Sequence, residues 1–146
     1  MLKIICEKEF LSRTDMPIEY IGIYELDWLV DDNQLDCEGI IVAFKDKRYL
    51  ITSKETSYDN YEFFYYEFEE EYDCRKIIPS SDEPLYFVRY ENEEHSFRIL
   101  RFKIGSRPIL VTAFEDNLLI VGISHWGEDD TWLDFDNTNL LNDGRN

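Results

Sequence analysis

The chain has 146 residues, 44% hydrophobic and 16% aromatic, and carries 32 acidic residues against 15 basic ones for a net charge of −17. Its length fits a single domain spanning residues 1–146, and its aromatic content argues against a disordered chain, because burial of rings offsets ordering entropy. The charge argues against direct binding to nucleic acid or anionic lipid, since both require Lys and Arg to face phosphate.

The first residues, MLKIICEKEF, hold no apolar stretch of signal-peptide length before charge returns at Glu7. No run approaches the roughly 20 apolar residues of a membrane span, so a cytoplasmic location is expected. Cys6, Cys37 and Cys74 are widely spaced and form no CxxC pair, which reads as three reduced thiols. Arg75 and Lys76 follow Cys74 and would lower its pKa if they lie close in space.

Residues 18–30 read as a strand, with Tyr20, Gly22, Tyr24, Leu26, Trp28 and Val30 alternating against Glu19, Ile21, Ile23, Glu25, Asp27 and Leu29. A helix is the alternative, started by Asp15 and Pro17. Runs of apolar and β-branched residues separated by short polar turns then predict strands at 39–44, 48–53, 85–90, 96–103, 109–114 and 118–124. Within 96–103 the alternation of Phe97, Ile99 and Phe102 against Arg98, Arg101 and Lys103 implies a slip at Leu100. The pair 109–114 and 118–124 is nearly all apolar, as in strands covered on both faces. The last twenty residues mix acids with Trp132, Leu133, Phe135, Leu140 and Leu141 and read as an irregular or briefly helical segment. The expected fold is mostly β, all-β or α+β: a meandering antiparallel sheet, curled or barrel-like, with one or two short helices.

No catalytic spacing stands out. His95 lies in a Glu-rich turn and His125 at the end of an apolar strand, and neither has further His or Cys at metal-binding spacing. Asp134, Asp136 and Thr138 alternate like the start of a calcium loop. The required glycine is replaced by Asn139, and the closing glutamate by Arg145. No phosphate-binding glycine loop and no nucleophile or zinc motif occurs. A non-enzymatic protein without metal or cofactor is expected.

The strongest signal is Tyr61 to Asp73. On a strand running that far, the even face carries Phe64, Tyr66, Phe68 and Tyr72, while the odd face ends in Glu67, Glu69, Glu71 and Asp73, about 6.6 Å apart. Eight acids and no Lys or Arg fall between Glu55 and Asp73. A second block, Glu115 to Asp143, holds another eight acids, including Glu128, Asp129 and Asp130 beside Trp126 and Trp132. Rows of like charge cost stability, and a basic partner is a physical reason to keep them. Among these acids Tyr and Trp are the residue types that anchor interfaces. The predicted partner-binding set is therefore Glu67, Glu69, Glu71 and Asp73, seconded by Trp126, Glu128, Asp129, Asp130 and Trp132. Reversing Glu67, Glu69 and Glu71 to lysine is expected to weaken binding and leave the fold intact.

In size, charge and aromatic–acidic character, carried by Glu67, Glu69, Glu71, Asp73 and Trp126-Gly-Glu-Asp-Asp130, the chain resembles small bacterial immunity proteins. Those proteins neutralise nuclease toxins by covering a basic active cleft, so the resemblance implies inhibition of a basic protein partner. Phage-encoded DNA mimics directed at CRISPR or restriction complexes share the same character, and a structural or interaction domain without inhibitory role stays open as a third reading.

Overall fold

The computed structural model describes residues 2–13, 16–31, 34–58, 60–79, 82–92, 98–105, 107–121, 123–126 and 133–135. Its elements in chain order are β1 (Lys3–Ile5), α1 (Glu7–Leu11), β2 (Tyr20–Asp31), β3 (Gln34–Ala43), β4 (Arg48–Ser57) and β5 (Asn60–Phe68), followed by β6 (Arg75–Ile77) and β7 (Leu85–Asn92). Then come β8 (Arg98–Ile104), β9 (Arg107–Phe114), β10 (Asn117–Val121), β11 (Ile123–Trp126) and β12 (Leu133–Phe135). The fold is mostly antiparallel β, a sheet curled into a half-barrel with one short helix among the described residues. Five of the six strands expected from the apolar runs are present, and the sixth, 118–124, is divided between β10 and β11 of different sheets. Residues 20–31 form β2 rather than a helix.

The curl originates at β3. One of its edges pairs with β2 along most of its length, from Asp31↔Gln34 to Tyr20↔Ala43. The opposite edge is divided: Gln34–Cys37 pair with β10, whereas Gly39–Ala43 pair with β4. From this fork one arm runs β10-β9-β8-β7 and the other runs β4-β5-β1. The first arm bends back on β2, since Leu85 at the start of β7 bridges Ile18 and β6 pairs with Ile21–Ile23. No helix among the described residues is long and apolar enough to cross a membrane.

Inside the curl, alternate residues of each strand form one apolar cluster, including Ile21, Ile40, Val42, Ile51, Phe102 and Val111. Helix α1 closes its open side. The helix has no side-chain cap at Cys6, so its hold is tertiary, through Phe10, which is 1% exposed. The Phe10 ring stacks on Tyr65 at 5.1 Å and meets Tyr49, Phe87 and Phe44 edge-on at 5.5, 5.8 and 6.5 Å. Arg13, just past the helix, pairs with Asp46 in the β3–β4 turn and lies over the Phe44 ring at 5.2 Å.

Two expectations need correction. Alternation in β8 is unbroken: Leu100, Phe102 and Ile104 face inward, while Ile99 joins Leu110 and Leu119 in a small cluster on the outer face. The irregularity lies instead in the partner strand, between Phe87 and Arg89. The acidic run from Tyr61 does not continue as a strand to Asp73, because β5 ends at Phe68. Arg48 there donates to the Glu69 carbonyl at 2.6 Å and ion-pairs with Glu71, and these contacts turn the chain off the sheet.

Candidate protein-binding cleft

The register of β5 assigns its two faces. Phe63 and Tyr65, at odd positions, point into the main core, while Phe64, Tyr66 and Phe68 lie on the outer face with Leu50 of β4 and Ile41 of β3. The odd face is thus the inner face of the half-barrel. Glu67 sits at its rim, 19% exposed, with the Lys47 ammonium 3.0 Å from its carboxylate. That contact raises the Lys47 pKa above its ordinary value. Glu69, Glu71 and Asp73 follow the end of the strand, so the four carboxylates do not form an evenly spaced row. Glu67 and Glu71 hold Lys47 and Arg48, and reversing them would set like charges together, contrary to the expectation that both are dispensable to the fold.

Of the second predicted group, Trp126 belongs to β11, whose ladder sets it opposite Leu133 and sets His125 opposite Asp134. Glu128, Asp129, Asp130 and Trp132 lie outside the described residues, as does His95.

Segment 69–74 folds back over the outer face. The Tyr72 ring packs on Tyr24 at 5.1 Å, and its hydroxyl donates to Glu25 at 2.8 Å. That hydrogen bond, helped by burial, pushes the Tyr72 phenol up to about 12. Glu25 is presented there by a backbone φ of 53°, one residue before the stretch of β2 that is bulged. Cys74 ends the segment beside Gly22. Burial pushes its thiol pKa up and outweighs the opposing effect of Lys76, so this cysteine is not activated by its basic neighbours as the sequence suggested.

Beside this segment the outer face opens into a cleft of about 600 Å³. Its floor and walls come from Tyr24, Leu50, Thr52, Tyr66 and Leu2, and its rim from Glu38, Glu55, Asp116 and Lys54. The cleft is open because Gly39, paired with both Tyr24 and Thr52, contributes no side chain to the face. A β carbon at Gly39 would stand 2.8 Å from the Ile51 carbonyl oxygen. Leu2 and Ile4 extend the apolar surface toward β1 and are 52% and 61% exposed. The Thr52 hydroxyl is buried and makes no hydrogen bond among the described residues. A smaller pocket of about 220 Å³ shares Leu2, Tyr24 and Leu50 with the cleft and reaches beneath Glu70, Glu71 and Tyr72.

The acid at the far end of the rim is delivered by the two-residue β9–β10 turn, Glu115-Asp116, between paired Phe114 and Asn117. Ser53 donates to the Glu115 carbonyl at 2.8 Å and Asn117 donates to Asp36 at 2.8 Å, which pins the turn to the cleft. Glu115 takes a φ of 56°, a region that glycine occupies without steric cost. Glu115→Gly is expected to stabilise the protein by about 0.5–1 kcal/mol, a rise of roughly 1–4 °C in a thermal melt. An unchanged or lower midpoint would mean that the turn is not strained.

Raised phenol pKa values also set an alkaline limit. Burial pushes Tyr90 up to about 12 and raises Tyr65 further, and Tyr72 stands at about 12. A raised pKa means that the folded state holds the proton more tightly. The stability it contributes is complete below the unfolded value of about 10 and is lost as pH climbs through about 12. Phenolate absorbance is therefore expected to rise in two waves, the later one coinciding with loss of the β signal in circular dichroism. A single wave near 10 with the fold intact would contradict these contacts.

Among the described residues no group of three or more His, Cys, Asp or Glu is arranged to hold a metal ion. What sequence reasoning missed is the cleft itself, whose signal was the second set of aromatics, Tyr20, Tyr24, Phe64, Tyr66 and Phe68, on the face opposite the core. Compared with known proteins, the chain matches no family model, no curated protein and no solved structure.

Proposed function

We propose that this protein binds and neutralises a basic protein, with the outer cleft as its contact surface, in the manner of nuclease-directed immunity proteins. The observation that carries the reading is the cleft's make-up: an open tyrosine- and leucine-lined floor, bordered by exposed Leu2 and Ile4 and rimmed by Glu38, Glu55 and Asp116. Interfaces draw affinity from apolar and aromatic anchors at their centre, while rim charges steer the encounter and select the partner. On a chain of net charge −17, that rim selects for a basic surface. The acidic lip Glu69, Glu71 and Asp73 extends the proposed contact, and Glu128, Asp129 and Asp130 with Trp126 and Trp132 remain contact candidates on the sequence alone.

The test is retention of proteins from a source-organism lysate at low salt, using wild-type protein and a Tyr24→Ala/Tyr66→Ala variant as baits. A basic nuclease held by wild type, released by salt or by the variant, and inhibited in DNA cleavage when the purified protein is added is the expected result. Retention of a DNA-binding complex without nuclease activity would favour DNA mimicry. Equal retention of all partners by both baits would overturn the cleft as the site.

A further inference from the structure

We infer that the smaller pocket beneath Glu70, Glu71 and Tyr72 seats a single arginine side chain of that basic partner, a step that rests on the cleft being a protein-binding surface. At about 220 Å³ the pocket falls below the roughly 300–1,000 Å³ of small-molecule sites and suits one long side chain. Its floor of Ile41, Leu50 and Phe68 is apolar and would cover the methylene stem. One wall is the Tyr24–Tyr72 pair, with ring centroids 5.1 Å apart, and a planar guanidinium stacks on such faces. Two consecutive carboxylates, Glu70 and Glu71, stand at the mouth; both are already engaged within the chain, Glu71 by Arg48, and an incoming guanidinium would share them.

This outer face already seats two cations of its own chain. The Lys76 ammonium lies 4.4 Å from the Tyr20 ring centroid, and that of Lys54 lies 5.4 Å from that of Phe64. Arg48 reaches the Glu69 carbonyl and the Glu71 carboxylate on the same lip, so guanidinium recognition by this segment is present within the molecule. The lip, the aromatic wall and the apolar floor together favour arginine over lysine, whose ammonium is compact and strongly hydrated.

The test uses the intact protein and three probes: N-acetyl-arginine amide, its lysine counterpart and its uncharged citrulline counterpart. Ring-proton shifts of Tyr24 and Tyr72 are followed by NMR at millimolar probe. Saturable binding of the arginine probe is expected, with the other two weaker by about tenfold, a loss typical of a charge-assisted, forked contact. Tyr24→Leu and Glu71→Gln are each expected to weaken it several-fold. Should Tyr24→Leu fail to fold, Glu71→Gln decides when read beside Arg48→Gln, which breaks the same ion pair but keeps the carboxylate; only the first should weaken the arginine probe. Equal binding of the three probes, no saturable shift at Tyr72, or indifference to Glu71→Gln would overturn the assignment. No protein partner enters this titration. Absent arginine binding with a cleft-dependent partner sinks the arginine seat alone, whereas arginine binding with no basic partner sinks the wider reading alone.

Discussion

Phe10→Ala is expected to destabilise the protein by about 3–5 kcal/mol, the usual cost of deleting a fully buried aromatic ring. Phe10 is 1% exposed and touches Phe44, Tyr49, Tyr65 and Phe87, which come from the end of β3 and from β4, β5 and β7. It is the one buried residue of α1, so its loss both opens a cavity and releases a helix too short to stand alone. Against a total stability of roughly 5–15 kcal/mol for an ordinary domain, the variant sits near the edge of folding. Urea titration should show the midpoint falling, with Phe10→Leu intermediate. A loss under about 1 kcal/mol would mean that the site collapses around the gap and that α1 does not close the half-barrel.

The second large effect concerns binding. Reversing Glu38, Glu55 and Asp116 to lysine is expected to weaken association with the proposed basic partner by about 100-fold or more, and to flatten its dependence on salt. All three border the cleft and are exposed. The same change at Glu91, Glu93 and Glu94, in the hairpin turn read from the sequence, shifts net charge by the same amount and serves as the control. Binding kinetics at two salt concentrations separate the cases. Equal weakening by both triples would leave only global charge as the cause.

Strand positions were legible because apolar runs broken by short polar turns are a local signal; five of the six runs became single strands and only 118–124 was divided, between β10 and β11. The faces were not. In β5 both sets of alternate residues are aromatic, so period two alone cannot say whether Phe63 and Tyr65 or Phe64 and Tyr66 enter the core. The end of that strand was equally hidden: Glu69 to Asp73 keeps an alternating pattern, and the chain turns away because Arg48 and Tyr24 hold it from other strands. Helix α1 was missed since five residues without a side-chain cap give no pattern of their own. The cleft gathers Glu38, Glu55 and Asp116 from three distant parts of the chain through the fork of β3, which no local pattern reports.

The most direct test of the cleft as a protein-binding surface leaves charge unchanged. The affinity of the retained basic partner is measured at one fixed salt concentration for wild type and for Tyr24→Ala/Tyr66→Ala. Both rings line the cleft and lie outside the main core, so the β signal in circular dichroism should persist even where segment 69–74, held by Tyr24 through Tyr72, is loosened. Two lost aromatic anchors predict a loss of at least about 100-fold, or roughly 2.7 kcal/mol. An affinity within about threefold of wild type, with the fold intact, would contradict the cleft as the contact surface.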